Sequence, residues 1–186
     1  QPLTPSMQVG LASNSKLFTA VTMLKLAENN TLSLDDSLHE WIPNYANVNP
    51  NITIRQLLNH SSGVFDPFLG TPLIDSIEAN PTHVYTVNEV LSYVGAPLFA
   101  PGAGSGYSNT NYILAGMVAE SATGSHISQL IRNLILTPLN MDSTFYDIEE
   151  AIPGVIAHRW YNSVDWHDTS RVSLNTSGGP SGSMFS

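Results

Sequence analysis

The stretch from Leu11 to Ala20 reads LASNSKLFTA and holds the pattern that most constrains both fold and function. Ser13 stands three residues before Lys16, one of only two lysines in the chain, and both precede a long apolar run. Two interpretations compete at this point. The serine is either a reactive group with a base nearby, or the polar cap at the start of a buried helix.

The segment that follows predicts a helix from Lys16 to Glu28. Its apolar side chains cover one face of the helix and part of the neighbouring surface, so we expect a largely buried helix. These side chains are Leu17, Phe18, Ala20, Val21, Met23, Leu24, Leu26 and Ala27. If the helix starts near Ser13, free backbone N–H groups and the positive end of the helix dipole lie beside the hydroxyl. Lys16, at i+3, returns to the same face. A desolvated lysine loses its proton more readily, so Lys16 can serve as the base for Ser13.

The alternative interpretation is structural. Serine is a favoured helix cap and lysine is common in a first turn, so an isolated S-x-x-K pattern is weak evidence for catalysis. Ser15 is a second candidate for the cap, and only the spacing to Lys16 favours Ser13 as the nucleophile. A solvated lysine would, however, be out of place at the start of a helix that is apolar on most sides.

A second polar group lies between Phe99 and Gly116, in FAPGAGSGYSNTNYILAG. Residues two apart in an extended segment point the same way, so Tyr107 and Asn109 are expected to face a common space before a helix. The phenol can relay a proton, and the amide can hold a substrate carbonyl. Without Ser13, packing of Tyr107 and capping by Asn109 would be the simpler interpretation. The glycines here do not complete a G-x-G-x-x-G nucleotide loop, and no strand precedes them.

The rest of the chain predicts a mainly helical fold in a single domain over residues 1–186, without linkers or repeats. The predicted helices cover Lys16–Glu28, Leu34–Trp41, Thr53–His60, Val87–Val94, Asn111–Ser121 and His126–Leu136. Thr86 and Glu89 form a capping box for the fourth helix. Asn109 or Thr110 can cap the fifth, which ends near Gly124. A candidate strand and a turn region rich in glycine and serine follow, at Val155–Tyr161 and Asn175–Ser183.

Composition and charge exclude several classes of function. The 186 residues include 15 acidic and 6 basic side chains, with a formal charge of −9, and no basic stripe that could neutralise a phosphate backbone. Nucleic acid is therefore not an expected partner. There is no cysteine, which excludes disulfides, thiolate catalysis and cysteine zinc sites. No apolar stretch approaches the roughly 20 residues of a transmembrane helix, and the first residues lack a signal-peptide pattern.

A segment rich in histidine and aspartate, near the end of the sequence, is a candidate metal site. It contains His158, Asp165, His167 and Asp168, but the spacing places no two histidines on one helical face. We therefore predict no metal and no cofactor. We interpret the aromatic residues of the same segment as packing groups rather than the wall of a cleft; they are Trp160, Tyr161 and Trp166.

Together these stretches resemble the serine β-lactamase and penicillin-binding-protein superfamily, in particular its class C β-lactamase-like branch. That branch includes D-alanyl-D-alanine carboxypeptidases, D-aminopeptidases and family VIII esterases. Its S-x-x-K motif is matched at residues 13–16 and its Y-x-N motif at residues 107–109. Two further segments are similar to the family in order and spacing: ITIRQLLNHSSGV, Ile52–Val64, and LILTPLNMDST, Leu134–Thr144. The resemblance extends from about Met7 to Phe185.

The resemblance implies a metal-independent serine hydrolase that acts through an acyl-enzyme on an amide, ester or β-lactam carbonyl. Ser13 would be the acylated nucleophile, Lys16 its activating partner and Tyr107 the general acid and base. Asn109 would bind the substrate carbonyl, and the amide of Ser13 would be one oxyanion donor. The implied substrate is a small molecule or a peptide, and a secreted or periplasmic location is favoured. His60 and Gly63 belong to a family signature that we interpret as structural.

The sequence also departs from the family pattern. Its two lysines form no K-T-G triplet and none of its six histidines begins an H-x-G triplet, so these 186 residues lack the third motif. The resemblance thus implies a partial domain: a nucleophile helix and helical subdomain of an α/β fold whose main antiparallel sheet is largely missing. Removing that sheet would leave an unpartnered apolar face on the helix from Lys16 to Glu28. The alternative function is a non-catalytic binding or scaffold domain.

Overall fold

The computed structural model describes residues 2–147, 149–158, 160–161, 164–165 and 178–186. This part of the chain contains six α-helices: α1 (Ser15–Glu28), α2 (Ile54–Leu58), α3 (Thr71–Ala79), α4 (Val87–Ser92), α5 (Asn109–Thr123) and α6 (Ile127–Ile131). It also contains two antiparallel pairs of short strands: β1 (Phe145–Tyr146) with β4 (Met184–Phe185), and β2 (Trp160–Tyr161) with β3 (Val164–Asp165). The described fold is mainly helical, as the sequence predicts.

The centre of the fold is the contact between α1 and α5, around which α2 and α6 pack. Nine of the fifteen residues of α5 are buried, so this helix is enclosed around most of its circumference. The apolar core between these helices includes Met23, Ile54, Leu57, Leu114 and Ile131. Burial of such side chains is the main source of stability for a helical domain. The two central helices carry the two sequence motifs at their N-terminal ends.

One face of α1 lies outside this core. Thr19 and Met23 are fully buried, whereas Leu17 is 65% exposed and Leu24 is 50% exposed. Leu17 and Leu24 are two helical turns apart and therefore share a face. The prediction of a largely buried helix is wrong for this face, and the expected unpartnered apolar face is present instead.

Capping boxes begin two of the short helices. Thr53 Oγ1 accepts a hydrogen bond from Gln56 N, and the Gln56 side chain accepts one from Thr53 N. Thr86 and Glu89 make the same reciprocal pair at the start of α4. Each box satisfies backbone donors that a helix start would leave free. Both predicted helices are confirmed, and each ends two residues earlier than predicted.

The segment Leu34–Trp41 does not form the predicted helix. Only Leu38–Glu40 is helical, as a single 3-10 turn. The N–H of Leu38 donates to the carbonyl of Ile52, 2.9 Å away, in the segment just before α2. The backbone of this region is thus bonded across to another part of the chain, which removes the donors and acceptors that a local helix would use.

Other boundaries differ in smaller ways. Helix α5 begins at Asn109, two residues before the predicted start, so neither Asn109 nor Thr110 is its cap; that position belongs to Ser108. The helix ends at Thr123, next to Gly124 as predicted, and the φ of +67° at Gly124 is the left-handed conformation that favours glycine. The predicted helix His126–Leu136 is confirmed as α6 followed by a π-helical turn. Helix α3 was not predicted; no side chain caps it.

Beyond residue 150 the described structure is sparse. Of the predicted strand Val155–Tyr161, Ile156 forms an isolated bridge with Gln8, and Trp160–Tyr161 forms β2. Of the predicted turn at residues 175–183, the part from 178 onward is described and contains a 3-10 turn, Gly179–Ser181, while residues 175–177 lie outside the described residues.

The turn at 179–181 packs between α1 and α5 and fixes the base of the site. Thr19 Oγ1 donates to the carbonyl of Pro180 at 2.7 Å. On the other side, a Cβ atom added to Gly116 would lie 2.2 Å from Pro180 Cγ, far inside a normal carbon contact. Only glycine at position 116 lets the proline ring approach α5 this closely, and that approach brings Ser181 to Lys16.

Candidate active site

Ser13 lies in a 3-10 turn, Ala12–Asn14, that continues directly into α1. Ala12 has a φ of +46°, a left-handed conformation that costs a non-glycine residue on the order of 1–3 kcal/mol. The side chain of Ser13 is exposed, and its backbone N–H belongs to the first turn, where a helix supplies no internal acceptor. The Ser13 residue is therefore accessible from solvent, and its N–H is not needed by the helix.

Lys16 lies one helical turn further along and is only 6% exposed. Its Nζ is 3.3 Å from Ser13 Oγ, 2.6 Å from Asn109 Oδ1 and 2.9 Å from the carbonyl oxygen of Ser181. These three acceptors match the three N–H groups of an ammonium. In the neutral amine one position becomes a lone pair, and of the three partners only Ser13 has a proton to give. The surroundings of Lys16 thus direct its basic form towards the serine hydroxyl.

The protonation of Lys16 is set by opposing effects. Burial lowers the pKa of Lys16 below its ordinary value, and this effect is partly offset by the hydrogen bond and charge of Tyr107 and by the charge of Asp66. The ammonium also lies over aromatic faces, with Nζ 4.8 Å from the ring centre of Tyr107 and 5.7 Å from that of Tyr112. A base needs a lowered pKa to be neutral near physiological pH, and burial moves Lys16 in that direction.

Tyr107 contacts both Ser13 and Asn109. Its hydroxyl is 2.7 Å from Ser13 Oγ and also donates to Asn109 Oδ1, at 3.4 Å. The ring is 48% exposed, so one side of the phenol faces the open space in front of Ser13. The structure therefore brings together all four residues singled out in the sequence: Ser13, Lys16, Tyr107 and Asn109.

His60 supports this arrangement from behind. Its Nδ1 accepts the backbone N–H of Ser108 at 3.2 Å, and because a backbone N–H can only donate, Nδ1 carries no proton. The imidazole ring lies 4.7 Å from the ring of Tyr107, centre to centre. Burial lowers the pKa of His60, and the charge of Lys16 lowers it further, against a smaller opposing effect of Asp66. A neutral His60 thus holds both the backbone and the ring of the Y-x-N segment.

Two residues of the site were not identified from the sequence. Asp66 is 1% exposed and accepts hydrogen bonds from the backbone N–H and the side-chain Nδ2 of Asn109. Ser181 contributes its carbonyl to Lys16. Asp66 lies 43 residues from its partner and Ser181 lies 165 residues from its own, so no local pattern reveals either contact.

The candidate metal segment extends beyond the described part of the chain. Trp166, His167 and Asp168 lie outside the described residues. Within the described part of the chain, no three His, Cys, Asp or Glu side chains are grouped so that they could hold a metal ion. The same part of the chain contains no helix that is both long enough and apolar enough to cross a bilayer.

A serine in the turn before a helix, a lysine in the first turn of that helix, and a tyrosine and an asparagine in contact with them are the arrangement expected for a β-lactamase-like fold. Comparison with known families gives the same class: the family described as Beta-lactamase matches residues 1–186. The chain belongs to this family.

Known relatives extend well beyond this chain. Penicillin-binding protein 4* of Bacillus subtilis is 33% identical over 178 residues, which cover 92% of this chain and 38% of that protein. A D-stereospecific amidohydrolase from Streptomyces sp. superposes with a TM-score of 0.83 at 28% identity, covering 97% of this chain and 57% of the other. The D-amino acid amidase of Ochrobactrum anthropi SV3 superposes with a TM-score of 0.84 at 28% identity, covering 100% and 53%. The chain thus spans between about two fifths and three fifths of these relatives.

Proposed function

We propose that this protein is a metal-independent serine hydrolase that forms an acyl-enzyme on Ser13. The observation that carries the proposal is the continuous contact from Tyr107 through Ser13 to Lys16, 2.7 Å and 3.3 Å between heavy atoms. A serine hydroxyl is a weak nucleophile on its own and needs a base within hydrogen-bond reach. Ser13 has two such neighbours, and both are themselves held by Asn109.

Acylation would begin with neutral Lys16. Ser13 gives its proton to Lys16 Nζ, either directly or through the hydroxyl of Tyr107, while Oγ attacks the substrate carbonyl carbon. The tetrahedral intermediate then collapses as its leaving group takes a proton from Tyr107 or Lys16, which leaves an ester on Ser13. Water attacks this ester in the second half of the reaction, with the same pair acting as base and then acid, and Ser13 regains its proton.

The oxyanion of the intermediate needs donors aimed at the carbonyl oxygen. The resemblance to the family implies the backbone N–H of Ser13, in the turn that leads into α1, as one of them, and the positive end of the helix dipole would add to its effect. The resemblance to the family implies a second amide, from a strand that carries the third motif. We further propose that this strand and the rest of the antiparallel sheet lie largely outside these 186 residues. The exposed Leu17 and Leu24 on α1 and the partial coverage of the relatives support that view.

The substrate would be a small molecule or a peptide with an amide, ester or β-lactam carbonyl. Relatives are a penicillin-binding protein, a D-stereospecific amidohydrolase and a D-amino acid amidase, and all three names fit attack on an acyl group. Tyr107 and Ser13 are both exposed, so the acyl group of a substrate can reach the Ser13 hydroxyl from solvent. Asn109 would bind the substrate carbonyl with its amide.

A second candidate function is a non-catalytic binding or scaffold domain that keeps the cleft without the chemistry. The absence of K-T-G and H-x-G triplets from these 186 residues favours it. This candidate predicts that a penicillin or peptide ligand raises the melting temperature of the protein without any turnover. A burst of product, or steady release, would exclude it.

Intact-mass spectrometry separates the two functions. The full-length protein is incubated with a fluorophosphonate, a penicillin and an activated ester, and the mass is followed over time. A serine hydrolase gains one adduct, which peptide mapping assigns to Ser13 and which Ser13→Ala abolishes. Ser92→Ala, an exposed serine on α4, is the matched control and should label like wild type. If wild type gains no adduct from any of the three reagents, the hydrolase proposal fails.

A further inference from the structure

The buried carboxylate of Asp66 joins two parts of the site. Asp66 follows the H-x-S-G turn and precedes the 3-10 turn Pro67–Leu69, where its Oδ1 accepts the backbone N–H of Phe68 at 3.0 Å. Its Oδ2 accepts both the backbone N–H of Asn109, at 3.1 Å, and the side-chain Nδ2 of Asn109, at 2.9 Å. The carboxylate therefore caps a local turn with one oxygen and holds the start of α5 with the other.

The second oxygen decides which way the amide of Asn109 points. An asparagine side chain has a donor end and an acceptor end of nearly the same shape. With Nδ2 bonded to Asp66, the acceptor Oδ1 is turned towards Lys16 Nζ, 2.6 Å away. The reverse orientation would set Oδ1 against a carboxylate and Nδ2 against an ammonium, so both contacts would be repulsive. Asp66 thus selects the one orientation in which Asn109 accepts from Lys16.

The charge of Asp66 acts on the same lysine. The charged and titratable groups around Lys16 are Tyr107, Asp66, His60 and Tyr112, and Asp66 is the one carboxylate among them in the described part of the chain. His60 accepts a backbone N–H at Nδ1 and is therefore neutral, so it adds no second positive charge beside the ammonium. A buried negative charge on the far side of Asn109 therefore stabilises the protonated form of Lys16 against its burial.

We propose that Asp66 is a positioning residue of this site: it orients the Asn109 amide towards Lys16 and places a buried negative charge near the lysine ammonium. The proposal rests on the proposed function of Ser13 and Lys16, because an ordered lysine has a catalytic purpose only if Ser13 is acylated. The simpler account is that Asp66 only caps the turn at residues 67–69. The two accounts differ in what happens at Lys16 and Asn109 when the carboxylate is changed.

The test replaces Asp66 in the full-length protein and measures the titration of Lys16. Asp66→Asn removes the charge at nearly constant shape, Asp66→Glu keeps the charge but displaces the carboxylate, and Asp75→Asn removes an exposed carboxylate of α3 as the matched control. The titration of Lys16 is followed by NMR of 13C-labelled lysine, with the signal assigned by its loss in Lys16→Gln. This readout needs no catalytic activity, so it remains informative if the hydrolase proposal fails.

We expect Asp66→Asn to lower the pH at which Lys16 titrates, and Asp66→Glu and Asp75→Asn to leave it near that of wild type. Labelling of Ser13 by a fluorophosphonate should slow by about 100-fold in Asp66→Glu, because the longer side chain displaces the carboxylate and with it the Asn109 amide that holds Lys16. The acid limb of the rate profile should stay in place in Asp66→Glu and move to lower pH in Asp66→Asn, together with the titration of Lys16. An unchanged Lys16 titration in a folded Asp66→Asn protein overturns the proposal, since a turn cap alone would not act on Lys16.

A measurement on wild type covers the case in which the Asp66 variants do not fold. If Asp66 holds the amide, the side-chain NH2 protons of Asn109 should exchange with solvent far more slowly than those of the exposed Asn44. Equal exchange of the two side chains would overturn the proposal without any change at Asp66. A wild-type protein that labels at Ser13 but shows fast Asn109 exchange would leave the hydrolase function intact and remove only the positioning role.

Discussion

Gly116→Ala tests how the packing of the fold controls the site. A methyl group at position 116 would lie 2.2 Å from Pro180 Cγ and 2.8 Å from its Cβ, whereas carbon atoms in contact are about 3.5–4.0 Å apart. The turn must therefore move outward by more than about 1 Å, because neither the proline ring nor the backbone of α5 can bend away. Overpacking of this kind costs about 1–3 kcal/mol. Alanine recovers about 1 kcal/mol over glycine in a helix interior, so we expect a net loss of about 0–2 kcal/mol in the free energy of unfolding.

The same movement should have a larger effect on reactivity than on stability. The turn that carries Pro180 also carries the carbonyl of Ser181, 2.9 Å from Lys16 Nζ, and a shift of about 1 Å would break that bond. A displacement of this size can slow a positioned reaction about 100-fold. The assays are urea unfolding and the rate of Ser13 labelling by a fluorophosphonate. Gly95→Ala is the control, since its added Cβ would meet Phe65 at an ordinary 3.5 Å. If Gly116→Ala labels at the wild-type rate, the turn does not hold Lys16 and the reasoning is refuted.

Three further predictions follow from single contacts. Tyr107→Phe removes the hydroxyl 2.7 Å from Ser13 Oγ and should slow labelling by about 10²–10⁴-fold, with the melting temperature unchanged because the exposed ring remains. Because burial lowers the pKa of Lys16, the labelling rate should rise with pH and level off below the range in which a solvated lysine titrates; a rate independent of pH would exclude Lys16 as the base. Thr86→Ala removes a helix cap and should cost about 1 kcal/mol by urea unfolding at neutral pH. Hydrogen bonds from the backbone and side chain of Thr86, with a further one from His83, lower the pKa of Glu89 from its ordinary 4.5 to about 2. The stabilisation from the Glu89 carboxylate is therefore present above pH 4.5 and is lost as pH falls towards 2. Thr86→Ala removes only the side-chain bond, so its cost should be smaller near pH 2 than at neutral pH, and an equal cost at the two would contradict this account of the cap.

Local patterns predicted the helices whose determinants are local. The capping box of Thr86 and Glu89 and the glycine at position 124 act on residues within one turn, and the start of α4 and the end of α5 lie where these two signals indicate. The segment Leu34–Trp41 was predicted as a helix in error, because its backbone bonds to the segment before α2, which no periodicity within the segment reveals. Helix α3 follows Gly70, which offers no side-chain cap; the proline in its first turn was the one local signal for its start.

In the candidate site, too, local spacings were predictable from the sequence and long-range contacts were not. Ser13 and Lys16 are three residues apart on one helix, and Tyr107 and Asn109 are two apart, so each pair is visible as a spacing. Their meeting was inferred from a family resemblance, because the pairs are separated by more than ninety residues. Asp66 was not identified because its role depends on the start of α5 being held by a distant carboxylate, which is also why that helix begins earlier than predicted.

Covalent labelling decides whether Ser13 is the nucleophile of this site. The full-length protein is mixed with a fluorophosphonate, and intact-mass spectrometry with peptide mapping measures both the number of adducts and their position. The account predicts one adduct per chain, located on Ser13, formed more slowly in Tyr107→Phe and absent in Ser13→Ala. An adduct that persists in Ser13→Ala, or a wild-type protein that remains unmodified, would contradict it.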